Sequence, residues 1–283
     1  QRGGLLFFRF FDNFIVEVEM TQSPVVIAVL GAGNIGTMIA EGVRAANFRG
    51  EIIITRRSGV FSLEERQQFT CLTKNSEALR ADVIIIAVRP TQADEVFQEI
   101  QGLVGPKHLL VSVVSGVSIS RMEEILGVVP IVRAMPNIAA RFGASMTCLA
   151  LNSSAVEHGE SVSRIFQAVG EVMVIPEEKF PEATVLCGSG TALAMKFVRA
   201  FMQAGIQHGF GEREALRIAS QVLKGAAIMS AHSHPEVEID RVTTPGGCTI
   251  AALAEMEHAG FGSALLRGIH EGVERAKKLY QRV

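Results

Sequence analysis

Apolar and polar positions along the chain keep one rhythm for about the first 180 residues and another afterwards. In the first part, short runs rich in Val and Ile recur between turn-forming residues: 25–30 in "PVVIAVLGAG", 51–55 "EIIIT", 81–90 "ADVIIIAVRP", 108–116 "HLLVSVVSG" and 130–137 "PIVRAMPN". Two shorter runs follow, 144–151 "ASMTCLAL" and 171–176 "EVMVIP". Uninterrupted apolar runs of this length, with helical patterns between them, predict strands of a parallel sheet covered by helices on both faces. After "PEEKFPEATVL" the β-like runs stop. Residues 190–210 and 211–233 read as two long helices, and 249–283 as helix, glycine break and helix.

The pattern predicts an α/β chain in two parts: a Rossmann-like parallel-sheet domain over 21–180 and an all-α domain over 181–283. The segment "GTALAMKFVRAFMQAGIQHGF" is apolar on nearly every face, so 191–206 reads as a central, buried helix. A domain of about a hundred residues has too little of its own surface to cover such a helix, which predicts dimerisation through this half. Residues 1–20, "QRGGLLFFRFFDNFIVEVEM", stand apart as a leader or extension. Their apolar stretch is too short to span a bilayer and carries Arg9 and Asp12. Asp12, Glu17 and Glu19 count against a mitochondrial transit peptide, and Met20 is a candidate true start.

With 48% apolar and 20% charged residues in 283, the composition is that of a soluble globular protein. A net charge of −2 argues against nucleic acid as the main partner. Four widely spaced cysteines, without a C-x-x-C pair, predict reduced thiols in a cytoplasmic protein rather than disulfides or a zinc site. The seven histidines show neither metal-ligand spacing nor a triad pattern, so no metal is expected and each reads as a surface or packed residue.

The chemistry begins at residues 31–36, Gly-Ala-Gly-Asn-Ile-Gly, between a strand and a helix. G-x-G-x-x-G in that setting predicts dinucleotide binding: Gly31 for the tight turn, Gly33 for close approach of a pyrophosphate, Gly36 for helix–strand packing. Asn34 and Ile35 would open the helix whose N-terminus faces the phosphates. After the second strand, where a site for NAD usually places an acidic residue, this chain has Thr55-Arg56-Arg57-Ser58. Guanidinium forks match phosphate oxygens, so Arg56 and Arg57 predict a preference for NADP(H), with NAD(H) possible. Strand ends at Gly31, Val88, Ser115 and Asn137 would line the carboxyl edge of the sheet, with Arg89, Pro90 and Met135 beside them. Late in the chain, Thr-Thr-Pro-Gly-Gly-Cys-Thr (243–249) opens a helix. On its residues alone it reads equally as a helix cap or as an anion site.

The ordered series "GAGNIG", "AVRPTQ", "SVVSGVSI", "VRAMPN", "CGSGTA" and "TTPGGCTIAAL" resembles the pyrroline-5-carboxylate reductase family over about residues 24–280. The resemblance implies hydride transfer from NAD(P)H to a cyclic imine carboxylate, in the last step of proline biosynthesis. It further implies a helical domain that interlocks with a partner subunit, giving a dimer or an assembly of dimers. On that basis Gly246 and Gly247 would hold the substrate carboxylate with Thr244 beside them, and Thr249 would reach the substrate nitrogen as the catalytic hydrogen-bonding group. Nicotinamide would lie near Met135, Asn137 and residues 112–116. The chain departs from the family at Cys187, Thr191 and Leu193, where Ser, Pro and Tyr are usual, and at Ile138-Ala139 in place of Thr-Pro. These departures leave open a related imine reductase, acting for example on a piperideine carboxylate, and a non-catalytic dinucleotide sensor. Neither membrane nor nucleic acid is expected as a partner.

Overall fold

The computed structural model describes residues 25–280, so the expectations about residues 1–20 lie outside it. The first half alternates strand and helix: β1 (Ile27–Leu30), α1 (Asn34–Ala45), β2 (Ile52–Thr55), α2 (Leu63–Gln68), β3 (Thr70–Leu72), β4 (Val83–Ile86), α3 (Ala93–Ile100), β5 (Leu109–Ser112), α4 (Ile119–Leu126), β6 (Ile131–Met135), β7 (Ser145–Leu151), α5 (Gly159–Gln167) and β8 (Gly170–Val174). The strands form one eight-stranded sheet in the order β3-β2-β1-β4-β5-β6-β7-β8. Its chain order reverses between β1 and β4, whose residues pair in parallel from Ile27↔Val83 to Leu30↔Ile86. Doubly wound sheets bind ligands at the carboxyl ends of strands at such a reversal.

Val and Ile side chains alternate between two cores. Ala28, Leu30, Ile53, Ile84 and Ile86 face α3 and α4 through Phe97 and Met122. Ile27, Val29, Ile52, Ile54 and Ile85 face α1 and α5 through Ile39, Val43 and Phe166. Burial on both faces explains why these strands read as continuous apolar runs rather than alternating ones.

Two features depart from the expected parallel sheet. β7 runs antiparallel to β6, pairing Met135 with Cys148, and β8 is parallel to β7. Residues 136–144 are too few for a crossover, which takes about a dozen or more. They turn back through a 3₁₀ segment (Ile138–Phe142) closed by Gly143 at φ +65°. The sequence reading also missed β3, a three-residue, half-buried edge strand beside β2.

The helical half begins with α6 (Phe180–Ala183), continues through one π-helical stretch (Thr184–Ser189) into α7 (Gly190–Gln207), and is completed by α8 (Glu212–Ser230), α9 (Pro235–Val242), α10 (Cys248–His258) and α11 (Phe261–Tyr280). Phe180 and Ala183 enter the core on the α3–α4 face. Val185 packs with Val273 and Ala276 of α11. Beyond these contacts little is covered: no residue of α7 is buried, which corrects the expectation of a helix buried within the chain. Residues Glu177–Gln207 form a helical stretch long and apolar enough, by length and composition, to cross a membrane. Lys196 and Arg199 interrupt its apolar surface and lie exposed.

Candidate functional site

β1 ends in a turn that glycine alone can make. Gly31 has φ +88°, and a Cβ there would lie 2.5 Å from Val88 Cγ1 and 3.1 Å from the Ala87 carbonyl oxygen. A Cβ on Gly36 would come within 2.7 Å of the Gly31 carbonyl oxygen, so the first turn of α1 rests directly on the loop. Gly33 differs: a Cβ there would meet nothing within 4 Å. It is the N-cap of α1, and no side chain caps the helix. Gly33 and Asn34 are exposed and Ile35 half-buried, so the uncapped N–H groups face open space at the strand reversal. Thr55 fixes the turn from β2: its Oγ1 accepts from Gly31 N (3.1 Å) and its carbonyl accepts from Ala32 N (2.7 Å).

The arginines that follow are held differently. Arg56 grips Glu65 at 2.5 Å, and Arg57 lies out in solvent with Glu95 as its ion-pair partner. Val88 is half-buried beyond β4; Arg89 and Pro90 are exposed, and Arg89 Nε donates to Gln92 Oε1.

A cleft of about 240 Å³ opens beside α1, lined by Ile35, Val113, Ser115, Met135, Pro136, Asn137 and Ile138 from the sheet half, and by Thr184, Gly188 and Ser189 from the π-helical stretch. The fold thus gathers Ile35, Ser115, Met135 and Asn137, which lie about a hundred residues apart in sequence at the extremes. Asn137 clasps the two halves together. Its Nδ2 donates to the Cys187 carbonyl (3.1 Å), its Oδ1 accepts from Ala139 N (2.9 Å), and its backbone N donates to Ser145 Oγ (3.0 Å). Thr184 Oγ1 bonds both the Phe180 carbonyl and the Tyr280 hydroxyl. Cys148 on β7 and Cys187 meet with sulfurs 3.3 Å apart. Burial, reinforced by the neighbouring Cys187, pushes the Cys148 thiol up to about 12, so it stays protonated.

No wall residue of the cleft is ionisable. At about 240 Å³ it suits one ring-sized end of a larger molecule. Such a site can orient a neutral ring and exclude water; it has no general acid or base of its own. Among the described residues no group of His, Cys, Asp or Glu could hold a metal.

Thr244, Gly246, Gly247 and Thr249 do not line this cleft. Thr244 to Gly247 form a tight turn, with Gly247 N donating to the Thr244 carbonyl (3.0 Å) and Gly246 at φ +71°. A Cβ on Gly247 would lie 2.4 Å from Thr244 Oγ1. Gly247 caps α10 without a side chain, leaving the first N–H groups of that helix unpaired beside the half-buried Thr249. The sequence reading did not single out Thr184, Gly188, Ser189, Glu65, Glu95 or Tyr280. Only "CGSGTA" carried any signal for them.

Comparison with known proteins covers both halves. Residues 177–279 match the family described as pyrroline-5-carboxylate reductase dimerisation, and residues 26–116 match that of NADP oxidoreductase, coenzyme F420-dependent. Pyrroline-5-carboxylate reductase 1 of Dictyostelium discoideum is 41% identical over 90% of this chain, which spans about half (50%) of that relative's length. Pyrroline-5-carboxylate reductase 2 of the same organism is 40% identical over 89% of this chain and 92% of its own. The solved structure of a pyrroline-5-carboxylate reductase from Coxiella burnetii superposes with a TM-score of 0.83 at 28% identity, covering 91% of this chain and 99% of that one.

Proposed function

The chain belongs to the pyrroline-5-carboxylate reductase family, and from that premise we propose that it reduces 1-pyrroline-5-carboxylate to L-proline with NADP(H), or secondarily NAD(H), as hydride donor. The observation that carries this reading is the uncharged cleft where the sheet's carboxyl edge meets the Thr184–Ser189 stretch, next to the open turn at Gly33. A protonated imine is already electrophilic, so its reduction asks for alignment rather than for a strong acid. The reduced nicotinamide, when bound, supplies the hydride. Gly33 and the α1 N-terminus take the pyrophosphate, Arg57 the 2′-phosphate, and the wall of Ile35, Ser115 and Met135 keeps water from the ring. The turn at Gly246 and Gly247 and the uncapped start of α10 receive the substrate carboxylate, with Thr249 Oγ1 bonded to the substrate nitrogen. Because this turn lies outside the cleft of its own chain, the partner subunit of a dimer supplies it. The exposed apolar surface of α7 is then covered by that partner rather than by lipid, and free thiols fit a cytoplasmic setting.

The purified full-length protein should oxidise NADPH with pyrroline-5-carboxylate, more slowly with NADH, and little with piperideine carboxylates. Faster turnover of the six-membered ring would reassign the substrate. Cofactor binding without turnover of either ring would make the chain a sensor. Thr249→Ala should lower kcat/KM about 10- to 100-fold, the value of a hydrogen bond to a charged group, with unfolding unchanged. An unaltered kcat/KM would remove Thr249 from the reaction.

The three glycines of the first turn separate packing from binding. Gly33→Ala should leave Tm unchanged, since the added methyl meets open space, yet weaken NADP⁺ binding about tenfold or more by standing where the phosphates pass. Gly36→Ala should instead cost about 1–3 kcal/mol of stability, because its methyl meets backbone. Calorimetric titration and thermal unfolding of the two variants distinguish them.

A further inference from the structure

The two arginines after β2 look equivalent in sequence and are not equivalent in space. Arg56 Nε donates to the Ala32 carbonyl (2.8 Å), inside the glycine turn. Its Nη1 donates to the Val60 carbonyl and to Glu65 Oε2 (3.1 Å). Its Nη2 donates to Glu65 Oε1 (2.5 Å) and Thr37 Oγ1 (3.4 Å). A guanidinium has five N–H donors, and each of these has a protein acceptor. Phe61 covers its face, with the ring centroid 4.9 Å away. Glu65 is buried, and the Arg56 guanidinium holds its carboxyl below the usual range; its Oε2 also accepts from Ser62 N to cap α2. Arg56 is therefore a strut tying the glycine turn to α1 and α2, with no donor left for a ligand.

Arg57 is the reverse case. Its side chain is 65% exposed and reaches Glu95 Oε1 at 2.8 Å, itself 60% exposed on α3. β2 and β4 flank β1 in the sheet, and α3 follows β4, so this pair spans the carboxyl end of β1. A solvent-exposed ion pair is weak and easily exchanged. A phosphate dianion offers the same fork more charge and more acceptor oxygens than Glu95 does.

We propose that Arg57 alone reads the 2′-phosphate of NADP(H), that Glu95 is the carboxylate this phosphate must displace, and that Glu65 withdraws Arg56 from the contest. The Glu95 carboxylate thereby sets how strongly the chain prefers the phosphorylated dinucleotide. This rests on the dinucleotide reading of the Gly31–Gly36 turn.

Calorimetric titration of the full chain with NADP⁺ and NAD⁺, alongside 2′-AMP and 5′-AMP, tests it without turnover. Arg57→Ala should weaken NADP⁺ and 2′-AMP about tenfold or more and leave NAD⁺ and 5′-AMP within about twofold. Glu95→Gln should tighten NADP⁺ about threefold, again sparing NAD⁺. Glu65→Gln should lower Tm and weaken both dinucleotides alike. The proposal is overturned if Arg57→Ala weakens both dinucleotides equally or neither, if Glu95→Gln weakens NADP⁺, or if Arg56→Lys selectively loses NADP⁺ at unchanged Tm. Wild-type protein that binds neither dinucleotide would instead sink the cofactor reading itself.

Discussion

Met195→Glu is expected to yield a folded chain that neither pairs nor reduces substrate. Met195 lies in the second turn of α7 and is 67% exposed in a single chain, and it belongs to neither core of the sheet. Removing it therefore takes little from the chain's own packing. In a two-fold dimer the change enters twice. Each copy forfeits about 1.5–3 kcal/mol of apolar burial. Each also buries a carboxylate without a partner, a penalty of at least similar size. The sum is at least about 6 kcal/mol, or roughly four orders of magnitude in association constant. Sedimentation should report the monomer mass, circular dichroism the retained sheet, and the rate should fall about a hundredfold or more if, as proposed, the cleft is completed by the Thr244–Gly247 turn of a partner. A variant that stays dimeric places the interface on another face; a fully active monomer removes the shared site.

The second large effect is on stability. Glu177→Ala strands Arg133, whose side chain on β6 is only 3% exposed. Glu177 Oε1 accepts from Arg133 Nη1 (2.7 Å) and from Ile119 N (2.7 Å), joining β6, the start of α4 and the entry to the helical half. Phe180 and Tyr280 close over the guanidinium at 4.2 and 4.9 Å. Breaking one side of a buried pair costs about 3–5 kcal/mol. The Glu177 side chain is 32% exposed, so water takes up part of the loss, and about 3 kcal/mol is the expected figure. Chemical denaturation should show it. Glu177→Gln, which keeps an acceptor for both donors, should lose less, and adding Arg133→Met to Glu177→Ala should recover much of the deficit. A Glu177→Ala chain as stable as the parent would mean that the two rings and solvent suffice for Arg133.

What the sequence disclosed and what it withheld follow from the range of each interaction. Gly31, Gly33 and Gly36 were legible because strand, turn and helix lie within one short stretch. The reversal at β7 was equally local, since 136–144 are too few residues for a crossover, but apolar periodicity is blind to strand direction. Glu65 and Glu95 were invisible for the opposite reason. A carboxylate that meets an arginine from a different element leaves no mark on hydrophobic spacing, so Arg56 and Arg57 read as twins. For α7, an apolar surface on all sides announced that something must cover it, and composition carries no label for what does.

The π-helical stretch has a consequence of its own. One residue more than an α-helical path needs is held between Thr184 and Ser189, so everything on its amino-terminal side is turned by about 100° relative to α7. Excising a single residue there would restore regular helical phase and swing Phe180 off the sheet, carry Cys187 away from Cys148, and aim the Cys187 carbonyl elsewhere than at Asn137. The surplus residue is a phase adjuster: it lets one continuous rod serve a cleft at one end and present the exposed apolar surface of α7 along the rest of its length.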